Sequence, residues 1–77
     1  MKEEIQKILK ERFNIDVWFS YLDFDCTYIY VDNNRSYLDK VLEFLKCLDI
    51  TILSYDINYD LKDMDKLVYS VAVEVIE

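Results

Sequence analysis

The chain has no glycine, no proline and no histidine among its 77 residues. Without glycine it cannot build the glycine-lined loops that bring backbone N–H groups against phosphates. Without histidine it lacks the side chain that most often serves as a general base near neutral pH and as a ligand to transition metals. The Ser20, Ser36, Ser54 and Ser70 hydroxyls have no imidazole to deprotonate them, and Cys26 or Cys47 would need another activating group. Positive charge is scarce as well: nine Lys and Arg stand against sixteen Asp and Glu, for a net charge of −7. Apolar runs are short, none nearing the ~20 residues of a membrane-spanning helix, and no signal-peptide pattern is legible. The inventory argues against an enzyme, a cofactor, a direct nucleic-acid binder and a membrane protein.

Hydrophobic residues make up 53% of the chain and aromatic ones 16%, in a length that predicts a single domain spanning residues 1–77. A chain of this size buries only about 63% of its unfolded surface, so its margin of stability is thin and association is an expected way to widen it. The local cationic excess of Lys7, Lys10 and Arg12 is interleaved with Glu3, Glu4 and Glu11. The electrostatic complement of such a chain is a basic protein surface. Cys26 and Cys47 form no CxxC pair and read as small apolar packers in a reducing compartment, which predicts a cytoplasmic protein, in a host cytoplasm if the source is viral. Asn34-Arg35-Ser36 spells a glycosylation sequon but fits helix capping better.

Periodicity predicts a helix over Lys2 to Phe13, with Ile5, Ile8, Leu9 and Phe13 on one stripe. Alternation predicts strands over Ile15 to Tyr21 and Cys26 to Val31, joined by a Leu22–Asp25 turn. A second helix starts around Asn33, Asn34 and Ser36, with Ser36 to Asp39 as a shortened capping box. Strands over Ile50 to Ile57 and Lys66 to Ile76 follow, separated by a polar loop over Asn58 to Asp65. The order αββαββ predicts an α+β two-layer sandwich: a four-stranded antiparallel sheet with both helices on one face. This is a circularly permuted ferredoxin-like arrangement, in which the C-terminal strand should be central.

Two helices cover one face of such a sheet, yet both faces carry large apolar groups. Trp18, Tyr28, Tyr30, Tyr55 and Tyr69 are the expected open-face set, and a patch of that size predicts self-association as a homodimer. The segment Asp56-Ile57-Asn58-Tyr59-Asp60 imitates the start of an EF-hand. Leu61 stands where the loop needs glycine and Leu67 where it needs a bidentate Glu, so no metal site is predicted.

Asp23, Asp25, Asp56, Asp60, Asp63 and Asp65 lie at predicted strand ends and loops, where carboxylates imitate a phosphate row. In size and charge the chain is similar to the small acidic inhibitors of phages and mobile elements, anti-CRISPR proteins among them. Its poverty in Gly, Pro and Ala suits an AT-rich, viral source. The expected function is therefore a non-enzymatic, nucleic-acid-mimicking inhibitor that engages a basic nucleic-acid-binding protein. The alternative is a structural or regulatory adaptor that self-associates through its aromatic sheet face.

Overall fold

A computed structural model describes residues 1–20, 25–60 and 63–76. Its first element, α1 (Lys2–Phe13), has the predicted limits; Ile5 and Leu9 are its buried stripe. Glu3 and Glu4 in the first turn and Lys10 and Arg12 in the last oppose the helix dipole with the favourable signs. Ending the helix requires a left-handed residue, a place usually given to glycine. Asn14 takes it, at φ 55° and ψ 38°, and the Asn14 N–H donates to the Lys10 carbonyl at 3.0 Å.

Two short strands follow, β1 (Val17–Ser20) and β2 (Thr27–Asp32), and then α2 (Arg35–Cys47). The cap of α2 is Asn34, not the expected Ser36. The Asn34 backbone is extended (φ −139°, ψ 114°), and its Oδ1 accepts from the N–H of Ser36 at 2.9 Å and of Tyr37 at 3.3 Å. A side-chain oxygen one residue ahead of the helix reaches those orphan donors, which Ser36, already inside the first turn, cannot do. At the other end Asp49 takes the left-handed conformation (φ 58°). The Asp49 N–H then donates to Lys46 at 3.0 Å and the Ile50 N–H to Leu45 at 3.1 Å, a Schellman closure that leaves Leu45 and Ile50 together in the core.

The last two strands are β3 (Ile52–Tyr59) and β4 (Leu67–Val73). The four strands form one antiparallel sheet in the order β1-β2-β4-β3, so the C-terminal strand is central, as its apolar residues on both faces demand. Both helices pack on one face of it. Ile5 and Leu9 of α1 and Leu38, Val41 and Leu45 of α2 share a single buried cluster with Val17, Ile29, Val31, Val71 and Val73. The result is the expected α+β two-layer sandwich.

Two departures in β3 shape the surface. The strand runs on through Asn58 and Tyr59, paired with Val68 and Leu67, where a loop was expected. Its register also shifts between Ile52, opposite Val73, and Ser54, opposite Ala72, which makes Leu53 an extra residue in a β-bulge. Beyond a bulge the side-chain parity inverts, so Tyr55 and Ile57 fall on the same side of the sheet as Ile52.

Candidate functional site

Cross-strand rows on the helix-covered face run Phe19–Ile29–Val71–Tyr55 and Val17–Val31–Tyr69–Ile57. Burial falls off along each row towards β3. Ile29, Val31 and Val71 are fully buried, Tyr69 is half-buried, and Tyr55 and Ile57 are 43% and 51% exposed. Tyr59 and Leu67, the next pair, are exposed too. Of β3, only Ile52 packs against the core under the helices. From Leu53 to Tyr59 every residue is exposed, which leaves an apolar shelf along one edge of the sheet. The Arg35 guanidinium of α2 lies over the Tyr55 ring, 5.8 Å from its centroid, and also pairs with Asp39 at 3.2 Å. Hydrogen bonding to Tyr55, and then the Asp39 charge, raise the Arg35 pKa.

The expected open-face set therefore divides. Trp18, Tyr28 and Tyr30 do lie on the face away from the helices, while Tyr55 and Tyr69 lie on the helix side. For Tyr55 the cause is the Leu53 bulge. For Tyr69 it is strand parity, because Tyr69 alternates with Val71 and Val73, which the helices cover. The three aromatic residues that remain on the far face are largely spent within the molecule. Trp18 and Tyr30 stack with ring centroids 6.4 Å apart and planes 19° apart, and Tyr30 is only 8% exposed. Lys66 Nζ sits 5.5 Å from the Trp18 ring and 2.8 Å from Asp32 Oδ1. In the adjoining row Val68 is fully buried. The β3 side of this face is polar, with Ser54, Asp56 and Asn58, and Asn58 Nδ2 donates to Ser70 Oγ at 2.5 Å.

The carboxylates do not form one row. Asp25 precedes β2 at one end of the sheet, whereas Asp60, Asp63 and Asp65 follow β3 at the other, roughly 20 Å away by strand rise. Asp23 lies outside the described residues. Asp60 is buried, because its N–H continues the ladder to the Lys66 carbonyl at 2.8 Å and draws the residue inward. The hydrogen bond to Asp32 raises the Lys66 pKa, with the Asp60 and Asp63 charges adding to it. Asp56 is not in a loop at all; it is exposed in the middle of β3. Among the described residues, Asp56, Asp63 and Asp65 have no ion pair, and no three acids or thiols converge as metal ligands. Both thiols are free, Cys26 buried and Cys47 exposed.

Family models, curated proteins and solved structures were all compared with this chain, and none matches it. What it can do must be read from its own geometry. Among the described residues, surface features large enough to bind something include two open clefts of about 370 Å³ each. One lies between the helices, lined by Arg12, Phe13, Lys40, Glu43 and Phe44, and the other is lined by Met1, Leu48, Ile50, Glu74, Val75 and Ile76. A further feature is the β3 edge, whose backbone phase can be worked out. The Asp60 N–H donates to the carbonyl of Lys66 directly opposite, which puts that position in the hydrogen-bonded phase, and bonded positions alternate along an antiparallel ladder. Asn58, Asp56 and Ser54 therefore bond inward to β4, and Tyr55, Ile57 and Tyr59 turn their N–H and C=O outward. An edge with free donors and acceptors over an apolar shelf is a template for an added strand. The only hint of this in the sequence was the strict alternation of Ser54, Asp56 and Asn58 with Tyr55, Ile57 and Tyr59, which conflicts in parity with Ile50 and Ile52.

Proposed function

We propose that the chain is a non-enzymatic adaptor that binds protein by adding an extended strand to β3. One observation carries this reading: Leu53 to Tyr59 are all exposed, with three apolar side chains on one face and the backbone groups of Tyr55, Ile57 and Tyr59 unpaired by β4. Natural proteins usually shorten, charge or cover a strand edge of this kind. Here Asp56 is its single charge. Among the described residues, no helix is long and apolar enough to cross a membrane.

A second reading, the acidic inhibitor, is favoured by Asp56, Asp63 and Asp65, which have no ion pair among the described residues. A basic segment laid along β3 would meet these three, so a phage or mobile-element protein of this design would occupy part of a nucleic-acid-binding target. The experiment that tests the edge is affinity capture from the source cell with the wild-type chain, Ile57→Lys and Trp18→Phe. Protein captured by wild type and Trp18→Phe but lost with Ile57→Lys supports strand addition. Capture indifferent to Ile57→Lys refutes it. Salt then separates the two readings, since added salt weakens capture through carboxylates and leaves capture through backbone and apolar contacts nearly unchanged.

A further inference from the structure

We propose that a second copy of this chain occupies the edge, its β3 running antiparallel to the first about a twofold axis through Ile57. This rests on β3 being a binding edge and names its occupant. Two observations choose the second copy. The exposed segment Tyr55-Asp56-Ile57-Asn58-Tyr59 has the same chemistry read in either direction: aromatic, polar, aliphatic, polar, aromatic. A twofold antiparallel pairing sets each residue opposite its mirror position, so such a segment complements itself. The second observation is the backbone phase, which places Tyr55, Ile57 and Tyr59 outward on both copies.

Charge and phase together select one register. Centred on Ile57, the pairing sets Ile57 opposite Ile57 and Tyr55 opposite Tyr59, so every outward backbone group is used, with about six hydrogen bonds across the seam. Asp56 then faces Asn58 of the second copy. The Asn58 amide has two N–H donors, and Ser70 takes one, leaving the other for the Asp56 carboxylate. Centred on Asp56, the pairing would set two carboxylates opposite each other in a widely spaced pair, where side chains are closest. Centred on Asn58, it would set Asp56 against Asp60. Centred on Tyr55, it would face no charges but would run Ile57 onto the bulge at Leu53. The Ile57 register avoids both, and it joins two sheets into one of eight strands with all four helices on one side.

Mixed-chain disulfide trapping tests this in a Cys47→Ser background, where Cys26 is buried. Asp56→Cys and Asn58→Cys chains should cross-link when mixed and oxidised, and neither should cross-link by itself. Asp56→Cys cross-linking alone, to the same extent, overturns the register. Light scattering on the unmodified chain should give twice 9.4 kDa at submillimolar concentration and 9.4 kDa for Ile57→Lys, whose fold is checked by circular dichroism. Because both copies carry −7, added salt should tighten the dimer. A 9.4 kDa wild type with no mixed disulfide overturns the second copy. If Ile57→Lys still abolishes capture of another protein in that event, the edge reading stands; if it does not, both fall.

Discussion

Replacing Trp18 by alanine separates the two surfaces on which this molecule could associate. On the face away from the helices, the Trp18 indole stacks on Tyr30 and lies beneath Lys66, in the row next to the fully buried Val68. A fully buried tryptophan costs 3–5 kcal/mol when truncated to alanine, and Trp18 is half-buried, so about 2 kcal/mol is expected. Each kcal/mol moves Tm by 4–8 °C in a domain of this size, so Tm should fall by roughly 10 °C. The mass in solution should not change at concentrations where the chain stays folded. Thermal denaturation by circular dichroism, run at one protein concentration for both variants, measures the first quantity, and light scattering well below Tm measures the second. An unaltered Tm combined with loss of the dimer would refute the assignment. It would place the interface on the aromatic sheet face and make the β3 edge incidental.

Three further outcomes follow from particular contacts. Asn34→Ala removes the acceptor for two helix N–H groups and should cost about 1 kcal/mol, read as a Tm lower by roughly 4–8 °C, while Ser36→Ala should leave Tm unaltered. The Lys66 pKa is raised above the ordinary lysine value of 10.5 by Asp32, so its stabilisation is fully present below pH 10.5 and is lost as pH rises through the folded value. The Tm difference between wild type and Lys66→Met should therefore shrink in alkaline titration, and a difference that stays constant there would remove Asp32 as the cause. Asp56→Asn, Asp63→Asn and Asp65→Asn together lower the net charge from −7 to −4. They should weaken any basic partner and flatten the salt dependence of self-association, measured by sedimentation across a salt series.

Much of this architecture is legible in the residues. The Ile5, Ile8, Leu9 stripe sets α1 to its final limits, and apolar residues on both faces of Leu67–Val73 place the last strand in the middle of the sheet. The shortfalls share a cause, which is that a local pattern does not report what lies across it in space. Alternation counted from Ile50 puts Tyr55 on the open face, but one inserted residue at Leu53 inverts that parity. Ser36 satisfies the capping-box spacing, yet Asn34 stands where its oxygen can reach the first turn. Asp60 reads as a loop carboxylate until the ladder to Lys66 carries it inward. Asp25 and Asp63 look alike in sequence, but β2 and β4 hold them at opposite ends of the sheet. The exposed site was hidden for the same reason. Nothing in Ser54–Tyr59 states that the helices stop short of it.

The thinning of cover towards β3 also ties binding to durability. The strand least protected by the helices is the one whose detachment should need the least free energy, so proteases and solvent exchange should enter the molecule there. An occupant docked on that strand bonds only to the intact sheet, and its binding free energy is therefore added to the barrier against that opening. At one hundred times its dissociation constant the gain is about 2.7 kcal/mol, a large share of what so small a chain holds in reserve. Lifetime in a proteolytic environment would then rise with concentration, so that scarce, solitary copies are cleared first.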